Sequence, residues 1–260
     1  MRSARKLGGL SLAVTVLALA GCGGGLGASG PAIGSFYVGT AVGGGTTLGV
    51  RGLIDESGEA GFIEFNCVPA SCTGSYSVGS LVAVIVPNTI SSAAGTLNTS
   101  TLTLDVPYTE YPAGGGSTSS GTLAGSFVSR NSISGTLTGG ISLNLSSTSN
   151  YFTGYSLAAI ASDYTFSYTK GSTTDTATIT LSSAGAISTK SSANGCVYSG
   201  SFTIPDPAYD GFELSFTDTC DAALTGVAAF FPAASSAPAE LDLILHDAGE
   251  AQVLKLVATT

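Results

Sequence analysis

Apolar and polar residues alternate with a period of two along most of the chain after residue 31. In "TLTLDV" (101–106) and "TATITL" (176–181), apolar side chains take one side and Thr or Asp the other, as in half-buried β-strands. "GTLTGGISLNL" (135–145) holds two such runs around a Gly-Gly turn, which is typical of a β-hairpin. No run beyond the N-terminus shows a convincing helical period. We therefore predict an all-β, antiparallel protein.

An internal duplication underlies this pattern. Three matches keep an offset of 126 or 127 residues: "AIGSFY" (32–37) with "AIASDY" (159–164), Gly58 with Gly185, and "GSYSV" (74–78) with "GSFTI" (200–204). The repeat predicts two related lobes, residues 32–152 and 153–260, each long enough for its own hydrophobic core. Each lobe is predicted to be a small antiparallel β-barrel or sandwich, since the alternation fits both.

The N-terminus has the features of an export signal. The basic start Arg2–Lys6 precedes a charge-free apolar run, residues 7–21. That run is shorter than the roughly 20 residues that span a bilayer, and it fits the core of a signal peptide. It ends in "LAGC" (19–22), which resembles the bacterial lipobox. The resemblance implies cleavage before Cys22 and a diacylglyceryl group on its thiol.

Lipidation at Cys22 would decide where the protein resides. Two or three acyl chains hold a protein firmly at a membrane. Gly23, and not Asp, follows the lipidated position, and by resemblance to enteric lipoproteins this implies the outer membrane. We predict a cleaved signal peptide over residues 1–21, a Gly-rich tether over 22–31, and a lipid-anchored body in the cell envelope. The pattern does not tell the periplasmic face from the cell surface.

Charge excludes several classes of partner. Cleavage would remove three of the 8 basic residues and leave 5 against 17 acidic ones. Such an acidic chain repels phosphate backbones and anionic lipid headgroups. We predict no nucleic-acid binding, and contact with the membrane through the lipid alone.

The cysteines other than Cys22 predict a disulfide framework. They are Cys67, Cys72, Cys196 and Cys220. Four thiols in an exported chain favour two disulfides, for which three pairings exist. Zinc is disfavoured because the chain has neither CxxC spacing nor nearby histidines.

Strand register chooses among the pairings. "CVYSGSFTIPDPAYDGFELSFTDTC" (196–220) alternates on both sides of a Pro/Asp/Gly turn. A hairpin about Ala208 opposes three pairs: Cys196 with Cys220, Phe202 with Leu214, and Gly200 with Phe216, whose ring would cover the glycine.

A shorter hairpin is predicted in "FIEFNCVPASCTGSYSV" (62–78). A two-residue turn at Pro69-Ala70 opposes Cys67 with Cys72, Phe65 with Gly74, and Ile63 with Tyr76. The predicted disulfides are therefore Cys67–Cys72 and Cys196–Cys220.

Candidate catalytic groups are few. The single histidine, His246, lies near the turn of a hairpin between 240–246 and 251–257, in which Asp242 faces Lys255. There is no GxSxG motif. Acidic residues cluster in two turns that we expect to be exposed (Asp55, Glu56 and Glu59; Asp206 and Asp210). We predict no catalytic residue, cofactor or metal site, and leave calcium binding by these turns open.

Five aromatic residues form the remaining candidate site. They lie in predicted loops and at the lobe junction: Tyr108, Tyr111, Tyr151, Phe152 and Tyr155. One interpretation is packing between the lobes. The other is an exposed recognition patch, because Tyr gives a large contact area at a low entropic cost.

Several segments of the second lobe carry a family resemblance. "LAAIASDYT", "ATITLSSAGAIS", "GCVYSGSFT" and "LTGVAAFF" resemble uncharacterised two-lobed, Gly/Ser/Thr-rich lipoproteins of Gram-negative proteobacteria. The resemblance is best over residues 157–231 and looser in the first lobe, and "PAASSAPAELDLIL" (232–245) departs from it. It implies location and fold, and no activity.

These observations predict a lipid-anchored envelope lipoprotein that is not an enzyme and serves protein interaction or surface coating. The alternative is a carrier of a small apolar ligand in one barrel. An envelope hydrolase has the least support. An open apolar cavity would favour the carrier, and an exposed tyrosine patch would favour partner binding.

Overall fold

Strands make up most of the regular structure. The computed structural model describes residues 34–55, 57–67, 72, 78–88, 90, 97–98, 101–113, 117–128, 131–170, 173–220, 223–235, 238–247 and 249–259. Within these segments the strands are β1 Ser35–Gly43, β2 Thr46–Ile54, β3 Ala60–Asn66, β4 Leu81–Pro87, β5 Leu97–Asn98, β6 Thr101–Pro112, β7 Ser119–Val128, β8 Ser132–Leu137, β9 Ile141–Ser147, β10 Ser162–Lys170, β11 Thr173–Leu181, β12 Ala186–Ser192, β13 Tyr198–Thr203, β14 Phe212–Asp218, β15 Ala223–Phe231, β16 Glu240–His246 and β17 Ala251–Ala258. One helix, α1 (Leu157–Ile160), and two 3₁₀ turns (Val78–Ser80 and Ser149–Phe152) complete the elements of the described residues.

The strands form two closed antiparallel barrels of eight strands each. Barrel 1 runs β1-β2-β3-β4-β6-β7-β8-β9 and closes where β9 pairs with β1, while the short β5 pairs with β6. Barrel 2 runs β10 to β17 in chain order and closes where β17 pairs with β10. This confirms the all-β prediction of two related lobes and decides for barrels. An eight-stranded barrel has room for its own side chains or for one small ligand.

A short connection joins the two barrels. Barrel 1 ends at Ser147 and barrel 2 begins at Ser162. Between them the 3₁₀ turn Ser149–Phe152 precedes α1, which Ser156 caps by accepting a hydrogen bond from the Ala159 N–H at 3.2 Å. The predicted boundary at 152/153 falls inside this connection.

Both predicted disulfides are present, Cys67–Cys72 and Cys196–Cys220. The register of β13 with β14 is the predicted one, with Phe202 opposite Leu214 and Gly200 opposite Phe216. The role expected for Phe216 needs correction, because the nearest atoms around Gly200 are backbone. A Cβ there would lie 2.0 Å from the Ser215 carbonyl oxygen, so the glycine permits close strand approach.

The partner of β3 differs from the prediction. Ile63 and Phe65 pair with Val84 and Leu81 of β4, and not with the 74–76 segment. The predicted turn at Pro69-Ala70 and the partners Gly74 and Tyr76 lie outside the described residues. The physical reason is that "LVAVIVP" of β4 is apolar throughout, which suits a strand buried on both faces.

One turn demonstrates the duplication. In the β2–β3 turn, the Gly58 N–H donates to the Asp55 carbonyl and Gly58 has φ +88°. In the β11–β12 turn, the Gly185 N–H donates to the Ser182 carbonyl and Gly185 has φ +84°. The positions are 127 residues apart, and both require a left-handed backbone that favours glycine.

Apolar side chains form three clusters. One fills barrel 1, one fills barrel 2, and the third lies between the barrels. The third joins outer faces of barrel 1 (Phe36, Leu53, Ile63, Phe65, Val84, Val86 and Tyr111) to Tyr151 and to outer faces of barrel 2 (Val227, Ala229, Ile244 and Val253). Several strands are therefore apolar on both faces, because one face lines a barrel and the other joins the two barrels.

The N-terminal predictions lie outside the described residues, which begin at residue 34. They are the signal peptide over 1–21, the lipid acceptor Cys22 and the tether over 22–31. All three remain predictions. Among the described residues, no helix combines the length and apolar character needed to span a membrane.

Candidate functional site

The five aromatic residues of the predicted patch do not form one exposed surface. Tyr108 lies inside barrel 1, 5% exposed, with its ring over Gly121. Tyr111 and Tyr151 are 6% and 0% exposed and belong to the cluster between the barrels. The amphipathic side chain of Tyr suits water and a neighbouring lobe equally, so the sequence left its environment open. Three of the five are buried, but only Tyr111 and Tyr151 pack between the barrels, as one interpretation expected of the whole group.

Tyr151 and Tyr155 also contact aromatic rings on either side of the connection between the barrels. The Tyr151 ring meets Phe36 edge-on at 5.2 Å and stacks on Tyr209 at 5.5 Å. Tyr155 is half-buried, with its ring 4.9 Å from that of Phe230. Phe152 alone remains largely exposed, at 43%. One exposed ring presents too little area for a recognition patch.

His246 lies at the end of β16, as predicted, opposite Ala251. It is half-buried, and burial lowers the pKa of its imidazole. In the same hairpin Asp242 faces Lys255, in the predicted register.

The two acidic turns were expected to be exposed, but each contains an aspartate that is buried. Asp55 and Asp210 are both 0% exposed. A Cβ on Gly211 would lie 3.5 Å from the Asp55 Cβ, so the two turns meet where the barrels dock. Burial raises the pKa of Asp210 to about 8. Glu56 lies outside the described residues.

Three carboxylates from both barrels converge at this junction. Asp55, Glu59 and Glu213 each have an oxygen within 4.8 Å of the others. Asp55 Oδ1 accepts hydrogen bonds from the Ser57 and Glu59 N–H groups, while its buried Oδ2 has no hydrogen-bond partner among the described residues. Burial, followed by repulsion from Asp55 and Glu213, raises the pKa of Glu59 to about 6. Burial also raises the pKa of Asp55, so both carboxyl groups ionise less readily than exposed ones.

A groove between the barrels is the second candidate site. It encloses about 180 Å³ and is lined mostly by apolar side chains of the interface cluster. An Arg51 nitrogen lies 3.1 Å from Asp242 Oδ2, and the guanidinium lies 5.6 Å from the centre of the Phe231 ring. The charged groups of the groove therefore pair with each other across the interface. This arrangement stabilises barrel docking, although the buried Asp242 Oδ1 has no hydrogen-bond partner among the described residues.

The mouth of barrel 1 is the third candidate site. A cavity of about 310 Å³ opens there, within the size range of small-ligand pockets. The β1–β2 and β8–β9 turns form its rim, through Gly43, Gly44, Thr46 and Gly139. Ala41, Leu48 and Ile141 form an apolar wall, and Glu64 of β3 supplies a carboxyl group.

Glu64 points into the barrel because side chains alternate along β3. Ala60 and Phe62 belong to the barrel 1 core, while Ile63 and Phe65 face barrel 2. Glu64 is 4% exposed, and no described residue donates a hydrogen bond to its carboxyl group. Burial, followed by repulsion from Glu110, raises the pKa of Glu64 to about 7. A buried carboxyl group without a partner is unfavourable when ionised, so it marks a binding-site candidate.

Neighbouring polar groups share this end of the barrel. Tyr108 belongs to the barrel 1 core, and Glu110 lies two residues further along β6 on the same face. Glu110 Oε2 accepts a hydrogen bond from the Ser119 hydroxyl at 3.1 Å. Burial raises the pKa of the Tyr108 phenol, which lies near Thr138 of the β8–β9 turn. Glu64 is thus the carboxyl group on the described cavity wall, and Glu110 and Tyr108 lie near it at the same end of the barrel.

Sequence reasoning missed Glu64, although a signal was present. In "FIEF" a Glu interrupts a strand that is otherwise apolar on both faces. Such a strand buries its acid whichever face points inward. Asp242 in "LDLIL" has the same signature, and it faces the inter-barrel groove.

Comparison with known proteins adds no family to this description. No family model, no curated protein and no solved structure matches the chain. The candidate sites are therefore ranked on their own geometry. The mouth of barrel 1 ranks first, because the carboxyl group of Glu64 on its apolar wall has no basic partner among the described residues, whereas Asp242 of the groove pairs with Arg51.

Proposed function

We propose that this chain is a lipid-anchored protein of the outer membrane that carries a small, largely apolar ligand in the mouth of barrel 1 and catalyses no reaction. The observation that carries the proposal is the cavity of about 310 Å³ with Glu64 on its wall. Apolar walls supply most of the affinity of such pockets, and a few polar groups orient the ligand. The burial of Tyr108, Tyr111 and Tyr151 removes the main support for partner capture by an exposed aromatic surface.

Three features support the location. The "LAGC" sequence at 19–22 resembles a lipobox, which places an acyl anchor on Cys22. The two disulfides suit an oxidising compartment outside the cytoplasm. The excess of acidic residues disfavours attachment to anionic lipids by charge, so the anchor would be the acyl chains.

A blocking variant tests the carrier. Leu48→Trp would fill the cavity from its apolar wall, and Thr136→Trp, on an exposed position of β8, is the matched control. Full-length protein is purified from bacterial envelopes, and co-purifying small molecules are extracted and identified by mass spectrometry. We expect a compound that is retained by the wild type and Thr136→Trp and lost from Leu48→Trp. Equal retention by both variants would contradict the site.

The anchor and the absence of catalysis have separate tests. Cys22→Ala should move the protein from the membrane fraction to the soluble fraction, because the acceptor thiol is lost. Unchanged membrane retention would refute the anchor. Conversion of the carried compound to a product by the wild-type protein would refute the non-enzymatic part of the proposal.

A further inference from the structure

We infer that the ligand of the barrel 1 mouth carries a protonated amine, which lies against Glu64 with the apolar part of the ligand toward the rim. The inference rests on the proposed carrier function and names the chemical class of its ligand. It depends on the enclosed carboxyl groups of the mouth and on the absence of a basic partner for them among the described residues.

Barrel 1 has few basic residues that could pair with its carboxyl groups. Its sequence contains two basic residues, Arg51 and Arg130. Arg51 lies against Asp242 in the inter-barrel groove, on the outside of the barrel. Arg130 lies outside the described residues. Among the described residues, therefore, no basic side chain reaches Glu64 inside barrel 1.

The carboxyl groups of Glu64 and Glu110 share this end of the barrel. Glu64 is 4% exposed, Glu110 is half-buried, and the charge of Glu110 acts on Glu64. Ionisation of Glu64 there is unfavourable, because apolar surroundings replace water and the charge of Glu110 repels it. A cationic group between them would relieve both effects at once. An ammonium suits this position because it has three N–H donors and no acceptor.

Barrel 2 also contains a buried acid, but there the protein itself donates hydrogen bonds to it. Asp175 is also 4% exposed, but its carboxylate accepts hydrogen bonds from the Tyr198 hydroxyl at 2.6 Å and the Ser192 hydroxyl at 2.7 Å. The protein itself supplies the donors that a buried acid needs. In barrel 1 those donors are missing around Glu64 among the described residues, and a cavity lies in front of it. A ligand donor takes the place of the protein donors.

Strand register gives the orientation of the ligand. Glu64 of β3 is opposite Val50 of β2. Leu48, also on β2, lies two residues nearer the β1–β2 turn than Val50, about 7 Å away along the strand. The carboxyl group therefore lies deeper than the apolar wall of Leu48 and Ile141. The ligand enters with its ammonium first, and its hydrocarbon part contacts that wall.

A hard metal cation fits this mouth poorly. Calcium takes six to eight oxygen ligands, and magnesium retains several waters. The described wall of the cavity is mostly Ala, Gly, Leu and Ile, which coordinate neither. An organic cation matches both the acid and the apolar wall.

Three probes of equal chain length test the inference. Hexylamine, hexanol and hexanoate are titrated into the full-length protein in phospholipid nanodiscs, with empty nanodiscs as the blank. Calorimetry and saturation-transfer NMR measure binding at about pH 8, where an alkylamine remains protonated and Glu64 is ionised. We expect hexylamine to bind at least about tenfold more tightly than hexanol, with hexanoate weakest.

Charge-neutralising variants assign the effect to the site. Glu64→Gln keeps the size of the side chain and should bring hexylamine and hexanol to within about threefold of each other. Glu110→Gln should reduce the preference less, because Ser119 already bonds Glu110. Asp105→Asn, on the exposed face of β6, is the matched control and should leave it unchanged. Circular dichroism confirms that each variant is folded.

The outcomes separate this inference from the carrier function. Hexanol binding as tightly as hexylamine to the wild type would overturn the amine and leave the carrier standing. An amine preference that survives both Glu64→Gln and Glu110→Gln would also overturn it. If none of the probes binds the wild type while Leu48→Trp and Thr136→Trp retain envelope compounds equally, both proposals fail.

Discussion

The two barrels hold a buried acid at corresponding ends in opposite ways. Asp175 in barrel 2 and Glu64 in barrel 1 are each 4% exposed. Burial alone would raise the pKa of Asp175, but hydrogen bonds from Tyr198 and Ser192 outweigh it and keep that pKa below its ordinary value. Burial and Glu110 raise the pKa of Glu64 to about 7. The same scaffold therefore holds a satisfied acid in one barrel and an unsatisfied one in the other.

Strand register shows which residues of barrel 2 correspond to Glu64 and Leu48 of barrel 1. Glu64 pairs with Val50, and Ala177, 127 residues after Val50, pairs with Ser192. Glu64 thus occupies the place of Ser192, which is a donor to Asp175. By the same offset Leu48 occupies the place of Asp175. At these positions barrel 2 has a donor–acceptor pair, whereas barrel 1 has an acid beside an apolar wall.

The disulfides reinforce the contrast. Cys196–Cys220 ties the connection before β13 to the turn after β14, across the end of barrel 2. Cys67–Cys72 has a sequence separation of 5 and lies within the single connection after β3. One bridge therefore joins two connections at the barrel end, and the other stays within one.

Four predictions test the comparison of the two barrels, in order of decreasing effect.

Removing the long disulfide should have the largest effect. Replacing Cys196 and Cys220 by Ala should lower the free energy of unfolding by about 3.5 kcal/mol, because a longer loop is released in the unfolded chain. The same change at Cys67 and Cys72 should cost about 2 kcal/mol. Chemical denaturation monitored by circular dichroism measures both. An equal loss for the two pairs would break the comparison.

Glu64 should make the protein less stable as the pH rises. Its folded pKa of about 7 lies above the ordinary 4.5, so its contribution is fully present below about pH 4.5 and is lost as the pH rises through about 7. Glu64→Leu should therefore raise the free energy of unfolding near pH 8 by up to about 3 kcal/mol and flatten this part of the pH profile. Denaturant titrations from about pH 5 to about pH 8 measure it. A wild type that gains stability over this range, with no change on substitution, would refute the assignment.

Tyr198→Phe should show that Asp175 depends on its donors. Loss of the phenol removes a hydrogen bond to a buried carboxylate and should cost about 2 kcal/mol near pH 7. Tyr164→Phe is the matched control, because the Tyr164 hydroxyl donates to the neutral Ile160 carbonyl, and about 1 kcal/mol is expected. NMR titration should also show that the Asp175 pKa rises in Tyr198→Phe. An unchanged Asp175 pKa would contradict the comparison of the two barrel ends.

The junction turn should give the smallest effect. Glu213→Gln relieves repulsion with Asp55 and Glu59 and should stabilise the protein by about 1 kcal/mol near pH 8. The matching turn of barrel 2 has Ser182 in place of Asp55, so it has no such cluster to relieve. Thermal unfolding without added metal and with chelator present measures the change. A loss of stability on Glu213→Gln that appears only with calcium would instead show that the cluster holds a cation.

Local sequence information was sufficient for part of this fold. The register of the 196–220 hairpin followed from alternation on both sides of one turn, and it is the observed register. The 62–78 hairpin failed in its strand pairing because β3 pairs with β4, across a connection whose path alternation does not encode. The predicted disulfide Cys67–Cys72 is nevertheless correct, because a separation of five residues brings the two thiols within reach in either arrangement.

The candidate site was less accessible to sequence analysis. Alternation assigned Glu64 and Ile63 to opposite faces of β3, but both faces of that strand are buried. The sequence therefore did not tell which face lines the barrel and which joins the other lobe. The tyrosines presented the same difficulty, since Tyr111 and Tyr151 face the other barrel and not water.

By itself, the sequence determined the all-β class, the duplication and both disulfides, because each depends on local periodicity or on spacing along the chain. Tertiary structure decided the closure of the barrels, their docking face, the meeting of Asp55 with Glu213 and the isolation of Glu64 beside a cavity. These features arise between residues far apart in the chain. Burial, which sets their energetics, is a property of the assembled barrels and not of any one strand.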